Sequence, residues 1–411
     1  EIIRADLPGI LIVQGGPGTG KTAVALHRAD YLLYTYRERL ARSGVLLVGP
    51  NQVFLRYIEK VLPSLGETGV VMSTPGELFP GVVATAADEP AVAALKGDLR
   101  MAGVIAAAVR GRQRVPAKPL ALDVEGHKLV LRPHAVAGAQ EHARRSNKPH
   151  NLARIGYVKE LLDQLASQYA RVLGVRLDSD NRVELLADLR DSKDVRREIN
   201  LTWMPLTPQR FLEDLYADRA RLAAAAPFLS AAEIDLLYRE RGSEWTVSDV
   251  PLLDEAAELL GEDDSSARAA RVAARERQAD VEYARGALQL SGAGAFIDAE
   301  QLASRFADSG PVLTAAERAI TDRTWAYGHV VVDEAQELSA MAWRLLMRRC
   351  PAKSMTLVGD VAQTGSAAGA RSWASAMAPH VGDRWRLAEL TVNYRTPAAV
   401  MRLASADLKA A

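Results

Sequence analysis

The chain has 411 residues, room for two or three domains at the usual ~100 to 200 residues each, and its 48% hydrophobic and 25% charged content describes a globular protein with a core to bury. Lys and Arg balance Asp and Glu at 51 each, so no bulk field draws the whole molecule to nucleic acid and any such contact has to be local. The single cysteine, Cys350, excludes an intramolecular disulfide and fits a reducing cytoplasm, as does the lack of an N-terminal signal pattern; the longest apolar window, near 104–109, is far short of the ~20 residues that span a bilayer.

Residues 1–8 read as the tail of a helix entering a first strand, so the chain is expected to begin inside an element, as a fragment would. The apolar run 10–13 is that strand. It leads into Gly15, Gly16, Pro17, Gly18, Thr19, Gly20, Lys21 and Thr22, which satisfy G-x-x-x-x-G-K-[ST], and a helix is expected over 23–36. Strand, glycine loop and helix in this order form a phosphate-binding loop, in which backbone N–H groups turn inward and the helix adds its positive end. Lys21 supplies a mobile charge to the β- and γ-phosphates of ATP, and the Thr22 hydroxyl a ligand to Mg2+.

Further strands are expected at 45–48 and 69–72, with a helix over 54–62 between them. The sheet-forming part thus runs over 1–79. From about residue 80 the composition turns to long alanine-, arginine- and glutamate-rich helical runs, with a small hairpin or strand over 124–132. A basic, loop-like stretch with no interleaved aromatic is expected around 143–150. Residues 80–244 are read as a mainly helical insertion, and 245–395 as the second part of the sheet domain, with a charged helical arm near 262–300. Strands return at 329–332 and 354–358.

The first of these ends in Asp333-Glu334-Ala335-Gln336. An apolar strand closing on two carboxylates completes many nucleotide hydrolases: Asp333 holds the Mg2+ water shell and Glu334 takes a proton from the attacking water. Gln336 and Gln363 follow two successive strands, where an uncharged amide senses the γ-phosphate or the nucleophilic water.

The runs GGPGTGKTAVALHR, VVVDEAQ, VGDVAQT and NYRT, in this order, resemble motifs I to IV of the superfamily 1 helicases of the UvrD/Rep type. Within that superfamily, LLVGPNQVFLRYIEKVLPSLGE and DVPLLDEAAELLG look most like the HelD group, ATPases that bind and recycle bacterial RNA polymerase. The resemblance implies an α/β RecA-like lobe with a parallel sheet, interrupted by the helical insertion. It also implies that Tyr394 stacks on the adenine, that Arg395 reaches the γ-phosphate, and that 396–411 begins a second RecA-like lobe whose remainder is missing. Two departures matter. Ala23 stands where relatives often carry an arginine over the adenine, which leaves base selectivity open. Where DNA-translocating relatives place base-stacking aromatics, Gln363 is followed by Thr364-Gly365-Ser366-Ala367-Ala368, and Trp373 lies farther along.

The expected activity is therefore an ATP-driven remodeller of RNA polymerase. A 3'-5' DNA helicase is one alternative, and a nucleotide-gated binding protein that does not depend on hydrolysis is the other.

Overall fold

The computed structural model describes residues 1–61, 69–261, 319 and 322–393. In chain order its elements are β1 (Ile10–Gly15), α1 (Lys21–Thr35), α2 (Arg37–Ser43), β2 (Val45–Val48), α3 (Gln52–Val61), β3 (Val70–Ser73), α4 (Pro90–Gly97) and α5 (Arg100–Arg110). A hairpin of β4 (Leu120–Val124) and β5 (His127–Leu131) precedes α6 (Pro133–Arg145), α7 (His150–Leu173), α8 (Ser179–Asp191) and α9 (Lys193–Thr202). Then come α10 (Pro208–Tyr216), α11 (Arg219–Ala225), α12 (Ala231–Leu237), α13 (Val250–Leu260), β6 (His329–Val332), α14 (Ala340–Arg349), β7 (Met355–Gly359), α15 (Trp373–Val381) and β8 (Trp385–Leu390). The charged arm expected near 262–300 and the segment 394–411 lie outside the described residues.

The chain divides into two compact units. The sheet unit draws on Glu1–Ala108, Leu212–Ala256 and Leu313–Ala411, and its six strands all run parallel in the order β3-β2-β6-β7-β1-β8. β2 reads Val-Leu-Leu-Val, β6 His-Val-Val-Val and β7 Met-Thr-Leu-Val-Gly, and every one of these residues is buried. Such unbroken runs suit strands covered on both faces. The buried stripe Ala25, Leu26, Ala29, Leu32 and Leu33 of α1 packs into one core with Leu11, Val13, Leu47 and Val331 of the sheet. Ile12 pairs with Leu357, and Leu357 with Val332, so the C-terminal ends of β1, β7 and β6 finish level. Their loops open on the edge where ligands bind in open parallel sheets.

Residues 1–8 are not a helix end. They form turns, with the Arg4 N–H on the Glu1 carbonyl at 3.1 Å, and Arg28 of α1 takes the carbonyls of Ile2 at 3.1 Å, Ile3 at 3.3 Å, Asp6 at 2.9 Å, and Ala5. A buried guanidinium has five donors to satisfy, and the entering backbone supplies the acceptors. Val247–Asp249 is one 3-10 turn, boxed by the side chains of Thr246 and Asp249, and α13 follows it. On α13 the buried carboxylates of Asp254 and Glu255 meet α14: Arg344 grips Glu255 at 2.7 and 3.1 Å, and Arg348 reaches Asp254 at 2.7 Å. Bidentate pairing of this kind fixes one helix against another, since losing either partner strands a buried charge at ~3 to 5 kcal/mol.

Beneath the sheet edge, hydrogen bonds set the protonation of His329. Arg28 Nε donates to Thr356 Oγ1 at 3.0 Å, and that hydroxyl lies 2.9 Å from His329 Nε2, whose other nitrogen, Nδ1, is 2.8 Å from Ser354 Oγ. Ser354 in turn donates to the Leu7 carbonyl. With one hydrogen per hydroxyl, the direction is fixed: Thr356 donates to Nε2, and the neutral ring donates from Nδ1. Burial first, and then the Arg28 charge, push the His329 pKa down to about 3. The unfolded imidazole titrates near ~6.5, so the folded chain binds fewer protons between those values. The stability due to neutral His329 is present above pH 6.5 and drains as pH falls toward 3. Asp333 acts in the opposite sense, because its raised pKa of about 6 restores stability as pH falls through that value. Urea unfolding of the native chain and of His329→Gln at pH 7.5 and 5 is expected to separate the two contributions, the Asp333 gain being common to both and the His329 loss, up to ~1.4 kcal/mol per pH unit below pH 6.5, being confined to the native chain. His329→Gln should be less stable at pH 7.5 and lose less stability than the native chain, or gain some through Asp333, on going to pH 5; an equal change in both would remove His329 as the cause.

The helical unit draws on Val109–Phe211 and Ala257–Val312. Its hairpin and helices enclose Tyr157, Leu161, Leu189 and Trp203. Of the basic stretch expected as loop over 143–150, half is helix and half is loop: α6 runs to Arg145 and α7 starts at His150, with 146–149 between them. Of residues 109–211, nineteen are Lys or Arg and twelve are Asp or Glu, so the balanced total conceals a positive surplus here and an equal deficit elsewhere. Among the described residues no helix is long and apolar enough to cross a membrane.

Candidate functional site

The turn from β1 into α1 depends on Gly18 and Gly20, whose φ angles of 75° and 80° strain any side chain. Gly20 caps α1 without a side-chain acceptor, which leaves the first-turn amides for solvent or an anion. Thr19 closes the loop by donating to the Gly16 carbonyl at 2.9 Å. Lys21 folds back and donates to the carbonyls of Gly15 and, at 3.2 Å, Gly16.

The acidic pair at the end of β6 meets this loop. Thr22 Oγ1 donates to Asp333 Oδ2 at 2.8 Å, joining residues 311 positions apart. Burial chiefly, and after it the neighbouring Glu334 charge, push the Asp333 pKa up to about 6 against the pull of the Thr22 hydroxyl and Lys21. A carboxylate so desolvated lacks a full counter-charge. Hydroxyl and carboxylate oxygens suit Mg2+, which keeps several waters and takes one or two protein ligands beside the phosphates, so Thr22 and Asp333 fit that ion. The described residues contain no group of three or more His, Cys, Asp and Glu that could hold a metal.

Glu334 turns the chain sharply at φ 50°, a left-handed conformation that costs a residue with a Cβ on the order of 1 kcal/mol. Its Oε2 accepts from Gln336 Nε2 at 2.7 Å, and Gln336 Oε1 accepts the Asp360 N–H at 3.1 Å, just past the end of β7. Asp360 also accepts from Gln363 Nε2. One hydrogen-bonded chain therefore joins Glu334, Gln336, Asp360 and Gln363. Gly359 makes room for it, since a Cβ there would come within 2.1 Å of Gln336 Oε1.

Over the loop lies an open cavity of about 710 Å³, lined by residues 16–23 and by Glu334 and Gln363. That is the size of a pocket for a small organic ligand. Gln336 is buried behind it and meets its lining through Glu334 directly and through Asp360 to Gln363. Ala23 lines the wall, and one turn along α1 His27 does so too, with Tyr57 of α3. Tyr394 and Arg395 lie outside the described residues. Asn393, just before them, donates its amide to the Pro17 carbonyl at 2.9 Å and so ties the entering chain to the loop.

Trp373 is no base-stacking surface. It starts α15, it is buried, and its indole N–H donates to Gln14 Oε1. The sequence pattern had not singled out Gln14, Asp360 or Asn393. A signal existed for Gln14, the one polar residue closing Ile-Leu-Ile-Val-Gln, and for Asp360, an acid directly after a strand-ending glycine. No protein-family model matches the chain, and no curated protein matches it either.

Proposed function

We propose that the chain is an ATP-dependent motor of the UvrD-like superfamily 1, built on a RecA-like lobe with a helical insertion, that binds and remodels or recycles bacterial RNA polymerase. The observation that carries the ATPase reading is the 2.8 Å bond from Thr22 to Asp333, which joins a glycine phosphate loop to a strand-ending acidic pair. In that reading the loop amides and Lys21 hold the β- and γ-phosphates, and Glu334 accepts a proton from the attacking water. Gln336 fixes the Glu334 carboxylate for that task, and Gln363 faces the γ-phosphate side of the cavity. Bound Mg2+ supplies charge neutralisation on the phosphates. Tyr394 and Arg395 complete the site by resemblance, as adenine-stacking and γ-phosphate residues.

The polymerase partner rests on the resemblance to the HelD group and on the small residues where DNA-translocating relatives carry aromatics. Base stacking contributes ~1 to 3 kcal/mol per base to single-strand grip, so its absence weakens a strand-separating role. Incubating the protein with purified RNA polymerase at moderate salt and fractionating by size is expected to give a complex; separate elution would sink the polymerase reading. A 3'-5' DNA helicase is the second reading, favoured by the positive surplus of residues 109–211. Strong stimulation of ATP hydrolysis by single-stranded DNA, together with duplex unwinding, would select it.

A further inference from the structure

The loop after Gln363 is held firmly. The Glu337 carboxylate accepts the Gly365 and Ser366 N–H groups at 2.8 Å each. Thr364 Oγ1 donates to the Ala370 carbonyl at 2.8 Å, and the Ala370 N–H donates to the Gln336 carbonyl at 2.7 Å. Gly369 sits so close that a Cβ there would lie 2.6 Å from that same carbonyl. The loop 364–370 is thus fastened to the turn that bears Glu334 and Gln336 and moves with it.

Its far side meets α4. At Gly97, the last residue of α4, a Cβ would lie 2.7 Å from the Ser339 Cβ and 2.9 Å from the Ala368 Cβ. Ser339 is two residues beyond Glu337 and caps α14, accepting the Ala342 N–H at 3.1 Å. The preceding residue, Lys96, is buried and pairs with Asp88 and Asp249 at 2.9 Å each. Asp249 closes the turn leading into α13, the helix that Arg344 and Arg348 of α14 grip. One cluster therefore joins the Glu334 turn to the end of α4 and the start of α13. After α4 the chain leaves the sheet unit through α5, and along α13 it leaves that unit again.

We propose that the nucleotide site acts on the end of α4: a shift of the Glu334–Gln336 turn passes through Glu337 and the loop 364–370 to Gly97, and so to the two places where the chain leaves the sheet unit. Glu337 and Gly97 are positioning residues in this scheme. The inference rests on the ATP-site reading and deepens it, by naming where the site's output goes when no aromatics face a nucleic-acid strand.

Hydrogen exchange of the full chain, with and without Mg2+ and a non-hydrolysable ATP analogue, tests it. In the native chain, nucleotide should slow exchange over 16–22 and also alter it over 90–110. In Glu337→Gln, where an amide replaces an acceptor of two N–H groups, and in Gly97→Ala, the protection over 16–22 should persist while the change over 90–110 is lost. A merely structural role would shift exchange over 90–110 equally with and without nucleotide. That result, or a nucleotide response over 90–110 that is absent from the native chain or undiminished in both variants, overturns the proposal. Absence of protection over 16–22 in the native chain overturns the ATP-site reading itself, and this proposal with it.

Discussion

Lys21→Ala is expected to lower the affinity for Mg-ATP roughly 100-fold or more in calorimetry, leaving binding undetectable at ordinary concentrations. The ammonium already lies inside the loop on the carbonyls of Gly15 and Gly16, so a bound anion needs little rearrangement to receive it. A hydrogen bond to a charged group is worth ~1.5 to 3 kcal/mol, and removing one partner of a shielded charge pair costs ~2 to 5 kcal/mol. Each ~1.4 kcal/mol is a factor of ten. The fold should survive, because Thr19 still closes the loop and α1 keeps its buried stripe on the sheet. Unchanged affinity would show that residues 15–22 are only a turn.

Glu334→Gln separates chemistry from binding. Losing a positioned general base costs ~10² to 10⁴ in rate, and the amide keeps the shape of the carboxylate and an oxygen to accept the Gln336 bond. Hydrolysis should therefore fall by that factor while nucleotide affinity changes little. Undiminished hydrolysis would remove Glu334 as the base. If hydrolysis falls but release of polymerase persists, the protein is a nucleotide-gated clamp and not a motor.

The parts of this fold that were legible in the sequence are those where one physical pattern decides. β1, β2, β3, β6 and β7 are short apolar runs, three of them buried throughout and two with a single half-buried residue, bounded by glycine and polar residues, and the phosphate loop carries its own spacing. β8 was not legible. It reads Trp-Arg-Leu-Ala-Glu-Leu, lies at the sheet edge and is half exposed, so nothing in its composition marks it as a strand. Residues 1–8 were misread because their carbonyls are satisfied by Arg28, a partner some twenty positions away. Helical periodicity marks α4, α11 and α12 as helices without saying which core they cover, and they group with the sheet unit. At the site, Lys21, Thr22, Asp333 and Glu334 announce themselves by motif. Asp360 and Glu337 do not, since Asp360 meets Gln336 through its own backbone N–H and Glu337 holds backbone amides, which any sequence has.

Charge neutrality is misleading for this molecule. Because the excess of basic side chains is concentrated in residues 109–211, the first contact with a polyanion should be made by that stretch, and the encounter rate should fall as ionic strength rises past ~0.1 M, where screening reaches only ~10 Å.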